Sequence, residues 1–342
     1  MNAKLEMRRE AEEVEEALGM SMVTSVPRHD TVLLEEAVES LCVQPTDTVV
    51  DATLGGAGHF ALLLRKLGPK GKLVGIDADS DALARARVHL GTLPEATRPQ
   101  VILVEDNFSN LASILAQTGA ETPDKVLFDL GWSGFQLATG RGFSFRTDEP
   151  LLMTYGDPEK AENTAADLVN HLSEASLADT IFALGEERFA RGIARSIVLA
   201  REEEPITTTF ALVAAIEAGV PGWYRHRRLH PATKTFQALR IAVNDELGAL
   251  RSGLAASITA LSPGGRVAVI TFHSIEDRIV KAMFRDAAYA GQGVLVCKKP
   301  IIASLAELTL NPRARSAKLR VFERTIEASE TITNRTVSSV YA

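Results

Sequence analysis

A glycine-rich loop between a short buried strand and a helix constrains the fold of this chain more than any other feature. The segment Asp51-Ala-Thr-Leu-Gly-Gly-Ala-Gly-His59 joins the apolar run 48–52 to the amphipathic run 59–67, and a second apolar run, 72–77, ends in Asp77. A strand, a tight glycine turn and a helix N-terminus together form a site for a nucleotide-like ligand. A carboxylate that ends the neighbouring strand accepts hydrogen bonds from ribose hydroxyls. The pattern therefore predicts an adenosine derivative as ligand.

The glycine spacing favours a methyl donor over a dinucleotide. A dinucleotide loop reads Gly-x-Gly-x-x-Gly, and its third glycine allows close packing under a pyrophosphate. Counted from Gly55, this loop has Phe60 at that third position. Asp51 resembles the acidic strand end of S-adenosylmethionine (AdoMet) enzymes. For this motif alone, a glycine turn in an ordinary α/β domain remains the alternative.

Composition narrows the class of protein. The chain has 342 residues, of which 46% are hydrophobic, enough for a sizeable core. No run approaches the roughly 18 apolar residues of a membrane span, and no signal-type stretch is present, so we expect a cytoplasmic protein with no membrane partner. Cys42 and Cys297 lack metal-ligand spacing, so we predict no metal site and interpret each as a small core residue. The formal net charge of −7 argues against a uniformly basic nucleic-acid coat.

Alternating strand and helix patterns predict an α/β fold with a doubly wound parallel sheet. The predicted strands are 48–52, 72–77, 101–105, 125–130, 265–271 and 319–326. The predicted helices are 32–42, 59–67, 79–90, 161–170, 177–199, 209–218, 235–260 (one long helix) and 276–288.

The strand pattern stops after residue 130 for more than a hundred residues. We interpret the intervening helical segments as an insertion that covers the site and recognises the substrate. The predicted division is a charged N-terminal extension (1–27), a cofactor-binding sheet domain (28–137 and 229–342) and a helical substrate-recognition domain (138–228).

A polar turn follows the fourth predicted strand. In AdoMet enzymes the equivalent of Asp129-Leu-Gly-Trp-Ser-Gly-Phe-Gln136 is where the acceptor atom meets the methyl group. Methyl transfer from a sulfonium is an in-line displacement, so alignment matters more than a strong base. Alternatively, Asp129 caps the next helix.

Two basic segments in this acidic chain predict an RNA-binding surface. From Trp223 to Arg240 there are five Lys or Arg, two His and no acid, interleaved with aromatic residues. Cations for phosphates beside aromatic faces for bases are typical of single-stranded RNA binding. A solvated basic helix face is the alternative. The second segment, 311–320, contributes Arg313, Arg315, Lys318 and Arg320.

The segment Thr271-Phe-His-Ser-Ile-Glu-Asp-Arg278 lies between a predicted strand and a predicted helix. His273 is a candidate contact to a target base. Ser274, with Asp277 three residues later, is predicted to cap the helix.

Together these motifs resemble the bacterial 16S ribosomal RNA cytosine-N4 methyltransferases, the RsmH or MraW family, over about residues 28–324. The runs that carry the resemblance are 29–37, 51–59, 129–131, 141–145, 185–190, 230–237, 272–281 and 311–316. The resemblance implies a class I AdoMet-dependent methyltransferase fold, a Rossmann-like doubly wound sheet with an inserted small helical domain. It further implies N4-methylation of a cytidine in the decoding region of 16S rRNA, with the small ribosomal subunit as partner.

The resemblance also assigns site residues by position. The methionine-end loop would be Ala57, Gly58 and His59, beside Gly55; Asp77 would bind the ribose; Phe108 would lie beside the adenine; and Asp129 and Gln136 would complete the cofactor pocket. Catalytic roles are expected for Asp129 and His273, with Phe143 and Phe145 as further contacts to the base. RNA contacts are expected from Arg227, Arg228, Lys234, Arg313 and Arg315.

This chain departs from the family pattern mainly in one segment. The differing residues there are Trp132, Gly134, Ala138, Glu149, Leu152, Thr154 and Tyr155, and Ala57 replaces a usual glycine. Three alternatives therefore remain: an RNA-binding ribosome-assembly factor with a decayed site, an amino-methyltransferase for another RNA or DNA base, and a nicotinamide-dependent oxidoreductase, which the loop disfavours. A monomer and a homodimer remain equally open.

Overall fold

The computed structural model describes residues 31–131 and 140–325 of the chain. Within these ranges the chain forms one seven-stranded sheet, helices packed on its two faces and a group of helices inserted after the fourth strand. The predicted extension, 1–27, lies outside the described residues, as does Gln136.

The sheet has the strand order β3-β2-β1-β4-β5-β7-β6. Strands β1 to β5 are parallel, and β7 runs antiparallel to both β5 and β6. This arrangement confirms the predicted doubly wound α/β class. The strands are β1 Thr48–Asp51, β2 Lys72–Asp77, β3 Gln100–Glu105, β4 Lys125–Asp129, β5 Arg266–Thr271, β6 Gly293–Leu295 and β7 Lys318–Arg324.

The strand order places the site. The chain runs outward from β1 through β2 to β3, then crosses back to β4 on the other side of β1. Ligands bind at such a reversal, beyond the carboxyl ends of the strands. Three neighbouring strands there end in a carboxylate, Asp51 on β1, Asp77 on β2 and Asp129 on β4.

Two apolar clusters cover the two faces of the sheet. Alternate strand residues point to opposite faces, so Val49 and Leu127 join one cluster while Val50 and Phe128 join the other. The helices packed in these layers are α1 Leu34–Leu41, α2 Gly58–Lys66, α3 Ser80–Gly91, α4 Leu111–Thr118, α11 Glu246–Ala260, α12 Ser274–Tyr289 and α13 Leu305–Leu310.

The inserted helices share a third apolar cluster that spans Leu151 to Leu239. This cluster extends beyond residue 228, where the sequence pattern placed the end of the insertion. The helices described between β4 and α11, over residues 140–245, are α5 Ala165–His171, α6 Glu174–Gly185, α7 Ala190–Glu203, α8 Thr209–Ala218, α9 Gly222–Arg225 and α10 Ala232–Asn244.

Two predicted helices are each two helices. The predicted single helix 235–260 was wrong, because Asp245 adopts a left-handed backbone (φ 44°) between α10 and α11. Aspartate tolerates that conformation better than most residues. The predicted helix 177–199 is likewise divided at Glu186, which has φ 51°.

The cysteine interpretation was also wrong, because Cys42 and Cys297 are both exposed. Cys42 follows the last turn of α1 in a left-handed conformation that directs it outward from the core. Helices α4, α9 and α13 and the short strand β6 were not predicted. None of the helices in the described ranges is both long and apolar enough to cross a membrane.

Candidate active site

A cavity of about 430 Å³ opens at the carboxyl edge of the sheet. One side is formed by the loops after β1, β2, β3 and β4, and includes Gly55, Asp77, Phe108 and Asp129. The opposite side is formed by the inserted helices and by the loop after β5. We call these sides the cofactor half and the acceptor half.

The glycine loop is held by its own backbone geometry. Gly55 has φ 48°, and its N–H donates to Asp77 Oδ2 at 2.8 Å. Ala57 has a left-handed φ of 60° at the start of α2. A side chain on Gly58 would collide with Thr31. The loop conformation thus explains why small residues occur here.

Asp77 is positioned between two backbone donors. Its Oδ2 accepts from Gly55, and its Oδ1 accepts from the N–H of Asp79 at 2.9 Å. Burial raises the pKa of Asp77, although both hydrogen bonds oppose this shift. Phe108, just after β3, packs edge-on against Phe128 and lines the same side of the cavity.

Asp129 is held on one side and open on the other. Its N–H donates to Thr53 Oγ1 at 2.6 Å, and its Oδ2 lies 3.4 Å from His59 Nδ1. Its Oδ1 is buried and has no hydrogen-bond partner among the described residues. A buried oxygen without a partner is costly, so this geometry is suited to a ligand that donates a hydrogen bond.

His59 lies in an acidic environment beneath the cavity. Burial opposes its charged form, but the hydrogen bond and charge of Asp129, together with the charge of Asp51, raise the pKa of His59. Burial likewise raises the pKa of Asp51 to about 7, against the attraction of His59. Asp51 Oδ2 also lacks a partner within 31–131 and 140–325. The three side chains therefore form one coupled buried group.

The predicted cofactor residues fall into two sets. Gly55, Asp77, Phe108 and Asp129 line the cavity, as expected for direct contacts. Ala57, Gly58 and His59 lie below it, at the first turn of α2, and are not among the lining residues.

Aromatic side chains of the insertion dominate the acceptor half. Phe143 stacks on Tyr155 with ring centroids 5.7 Å apart, and both rings line the cavity. Phe145 stacks on His230 at 4.6 Å and meets Phe236 edge-on at 5.3 Å. Flat apolar walls of this kind are suited to a nucleobase.

A buried ion pair that the sequence analysis missed supports these rings. Arg240 donates from Nε and from one terminal nitrogen to the two oxygens of Glu246, at 2.7 and 2.9 Å. The Tyr155 hydroxyl donates to the same carboxylate at 2.9 Å. Burial disfavours the charged form of Arg240, but the negative charge of Glu246 outweighs this and raises the pKa of Arg240. Burial also raises the pKa of the Tyr155 hydroxyl. The sequence does contain a sign of this ion pair, because Arg240 is a charged residue within the otherwise apolar run 238–241.

His273, not Ser274, caps α12. His273 Nδ1 accepts from the N–H of Glu276, and Glu276 Oε2 accepts from the N–H of Phe272 and of His273. The predicted pairing of Ser274 with Asp277 was therefore displaced by one residue; the Ser274 hydroxyl donates instead to Glu186. His273 still lines the cavity.

One group of side chains near the cavity has the spacing of metal ligands. Glu246, His273 and Glu276 each place one ligating atom within 4.8 Å of the others. Both Glu246 oxygens already accept from Arg240, and Glu276 accepts two backbone N–H groups. We therefore interpret this group as a hydrogen-bonded network.

The predicted RNA-binding residues have different environments. Arg227 and Arg228 are exposed, and Arg227 lies over the Tyr224 ring at 5.3 Å. Lys234 Nζ donates to the Glu186 carbonyl at 2.7 Å. Arg313 lines the cavity, and Arg315 is exposed beside it. The basic character of 311–320 is reduced, since Lys318 and Arg320 both pair with Asp277.

The chain matches a known family over most of its length. The model of the MraW methylase family matches residues 27–325. A protein of Trichlorobacter lovleyi called ribosomal RNA small subunit methyltransferase H is 46% identical over 312 residues, which cover 86% of this chain and 98% of that protein. A protein of the same name from Deinococcus radiodurans is 48% identical over 299 residues, covering 86% and 89%.

Among solved structures, one described as a putative rRNA-methylase from Clostridium thermocellum aligns with a TM-score of 0.40 and 14% identity. The alignment covers 86% of this chain and 98% of that one. A similarity of this size does not bear on function.

Proposed function

This chain belongs to the MraW methylase family, and from that premise we propose that it transfers a methyl group from AdoMet to N4 of a cytidine in 16S rRNA. The observation that carries the proposal is the two-sided cavity. Strand-end carboxylates and a glycine loop lie opposite aromatic walls supplied by the insertion. A nucleoside cofactor and a nucleobase can therefore bind side by side in this cavity.

The residues of the cofactor half fit AdoMet. We assign the ribose hydroxyls to Asp77 and the adenine face to Phe108, because both line the cavity beyond their strands. Gly55 contributes to the same wall, and the first turn of α2, from Ala57 to His59, supports it from below. When bound, AdoMet would supply an electrophilic methyl group on its sulfonium.

Asp129 is the residue we assign to the acceptor amine. Thr53 and His59 fix its backbone and its Oδ2, which leaves Oδ1 to accept a hydrogen bond from the N4 amino group. The amino lone pair is delocalised into the cytosine ring, so orientation of this group contributes to the rate. After transfer, Asp129 Oδ1 is placed to take the proton that N4 loses.

His59 holds the Asp129 carboxylate in the orientation that leaves Oδ1 open. Its raised pKa favours the imidazolium, which compensates the negative charge of Asp129 in the buried group. We therefore treat His59 as a positioning residue.

His273, fixed by Glu276, and the Phe143–Tyr155 stack would hold the base.

The test is methyl transfer from labelled AdoMet to small ribosomal subunits from a strain lacking this protein. Mass spectrometry of the nucleosides should detect N4-methylated cytidine. AdoMet binding without transfer to subunits or free rRNA would contradict the proposal and favour an assembly factor.

Two variants separate the two ligands. Asp77→Ala should weaken AdoMet binding while RNA binding is kept. The double variant Arg227→Ala, Arg228→Ala should weaken RNA binding in a salt-dependent way while AdoMet binding is kept. Normal binding of both ligands by both variants would contradict these assignments.

A further inference from the structure

A cluster of rings and cations lies on the insertion, outside the cavity lining. The Arg188 guanidinium lies over three rings, 4.7 Å from the centroid of Phe189, 4.9 Å from that of Trp223 and 5.4 Å from that of Tyr224. Arg227 lies over Tyr224 from the next segment. We call these five residues the Trp223 cluster.

Trp223 is exposed yet held in place. It is 58% exposed, although Phe189 and Tyr224 pack edge-on against it at 6.0 and 5.7 Å. Beneath it, the buried Glu187 accepts from the Tyr224 hydroxyl at 2.7 Å and from the Phe189 N–H at 2.9 Å. An indole fixed in this way loses little conformational freedom when a planar group stacks on it.

The segment that carries Trp223 is rich in cations. No acidic residue occurs between Glu217 and Asp245. Glu217 itself lies 3.8 Å from His230, and Glu187 is buried. Arg188, which lies over the Trp223 ring, and Arg225, Arg227 and Arg228, which closely follow Trp223 in sequence, are all exposed.

The Trp223 cluster is connected to the cavity by a short series of contacts. Glu186, two residues before Arg188, accepts from the Ser274 hydroxyl and from Arg278, both at 2.6 Å. Ser274 directly follows His273, which lines the cavity. The segment that carries Arg188 therefore meets the loop after β5, which forms part of the cavity.

We propose that Trp223 is a second base-binding subsite, on which an unpaired nucleobase of the rRNA stacks while Arg188 and Arg227 bind its flanking phosphates. Stacking on an exposed indole suits any base, since every base has a π face. The subsite therefore adds affinity for single-stranded rRNA without specifying sequence. This inference rests on the proposed function.

The test compares substrate binding by Trp223 variants. Trp223→Leu keeps apolar packing against Phe189 but removes the stacking face, so the Kd for undermethylated small subunits should rise about tenfold. Trp223→Tyr should recover most of the loss. The control Tyr289→Ala, which removes an 83% exposed aromatic outside the cluster, should leave the Kd unchanged.

A second readout follows the indole directly. The chain has two tryptophans, so in Trp132→Phe the emission obtained by exciting tryptophan selectively comes from Trp223 alone. Titration with a short single-stranded oligouridylate should quench its emission. In Arg188→Ala the salt dependence of the Kd should become shallower by about one unit of slope, whereas in Trp223→Leu the slope should not change.

An unchanged Kd in Trp223→Leu, or unquenched emission, would overturn the subsite. If the wild-type protein methylates subunits and this variant does so with the same KM, only the subsite fails. If the wild-type protein neither binds nor methylates them, the proposed function fails with it.

Discussion

The two halves of the cavity differ in how their buried carboxylates are bonded. In the acceptor half, both oxygens of Glu246 accept hydrogen bonds, from Arg240 and from the Tyr155 hydroxyl. In the cofactor half, Asp129 Oδ1 and Asp51 Oδ2 are buried with no partner among the described residues.

This difference distinguishes side chains that support the cavity wall from side chains that bind a ligand. A buried polar atom left unpaired costs about 1 to 3 kcal/mol, so such atoms persist where a ligand supplies the missing partner. A bonded network instead fixes the rings that face the ligand. Removing one member should therefore reduce stability in the acceptor half and activity in the cofactor half.

The largest effect on stability is expected in the acceptor half. Arg240→Met leaves the buried Glu246 carboxylate without its cation, and breaking a buried pair from one side costs about 3 to 5 kcal/mol. Urea unfolding followed by circular dichroism measures the loss. Adding Glu246→Gln should restore part of it.

The exposed pair Arg278–Glu186 provides the control. Arg278→Ala should cost less than about 1 kcal/mol, because water screens exposed charges. Equal losses in the two variants would remove the distinction between the halves.

The largest effect on activity is expected from Asp129→Asn. The change keeps the shape but removes the charge aimed at the acceptor amine, so kcat should fall about 100-fold or more. Unfolding free energy should fall by about 1 to 3 kcal/mol, less than in Arg240→Met, because His59 can lose its proton when Asp129 is neutralised. NMR titration should show the pKa of His59 falling, because Asp129 raises it.

Asp47→Asn is the matched control. Asp47 precedes β1 at the opposite edge of the sheet, where it lies 3.8 Å from Lys125. This variant should keep its kcat. A full kcat in Asp129→Asn would show that the open oxygen has no role in transfer.

Asp51 should add a smaller effect, a pH dependence of the free energy of unfolding. Burial raises the pKa of Asp51 from its usual 3.8 to about 7 in the folded protein, so its contribution to stability is present below pH 4 and is lost as the pH rises toward 7. Relative to Asp51→Asn, the wild type should lose up to about 1.4 kcal/mol per pH unit in that window. Parallel unfolding curves between pH 4 and 8 would exclude the raised pKa.

The smallest effect on stability is expected in the glycine loop between β1 and α2. Ala57 has φ 60°, which costs an alanine about 1 kcal/mol, so Ala57→Gly should raise thermal stability slightly. Ala61→Gly, within the same helix α2, should lower it by about 1 kcal/mol. A loss in both variants would mean that the left-handed conformation of Ala57 is unstrained.

Local pattern predicted the cofactor half well. The strands ending in Asp51, Asp77 and Asp129 were predicted within a residue or two of their observed bounds. Strand periodicity, glycine spacing and strand-end carboxylates depend on neighbours in sequence, so they are readable without a fold. The break at Asp245 and the cap at His273 were missed, because one backbone torsion or one side-chain rotamer decides each.

The sequence by itself determined the α/β class, the nucleoside loop, the presence of a helical insertion and the resemblance to its family. Only the tertiary structure decided that Tyr155, Arg240 and Glu246 bond one another and that Arg188 lies over Trp223. Arg188 and Trp223 are distant in sequence, and Glu246 lies on a different helix from Arg240. Their contacts depend on how helices pack, and no local periodicity records that packing.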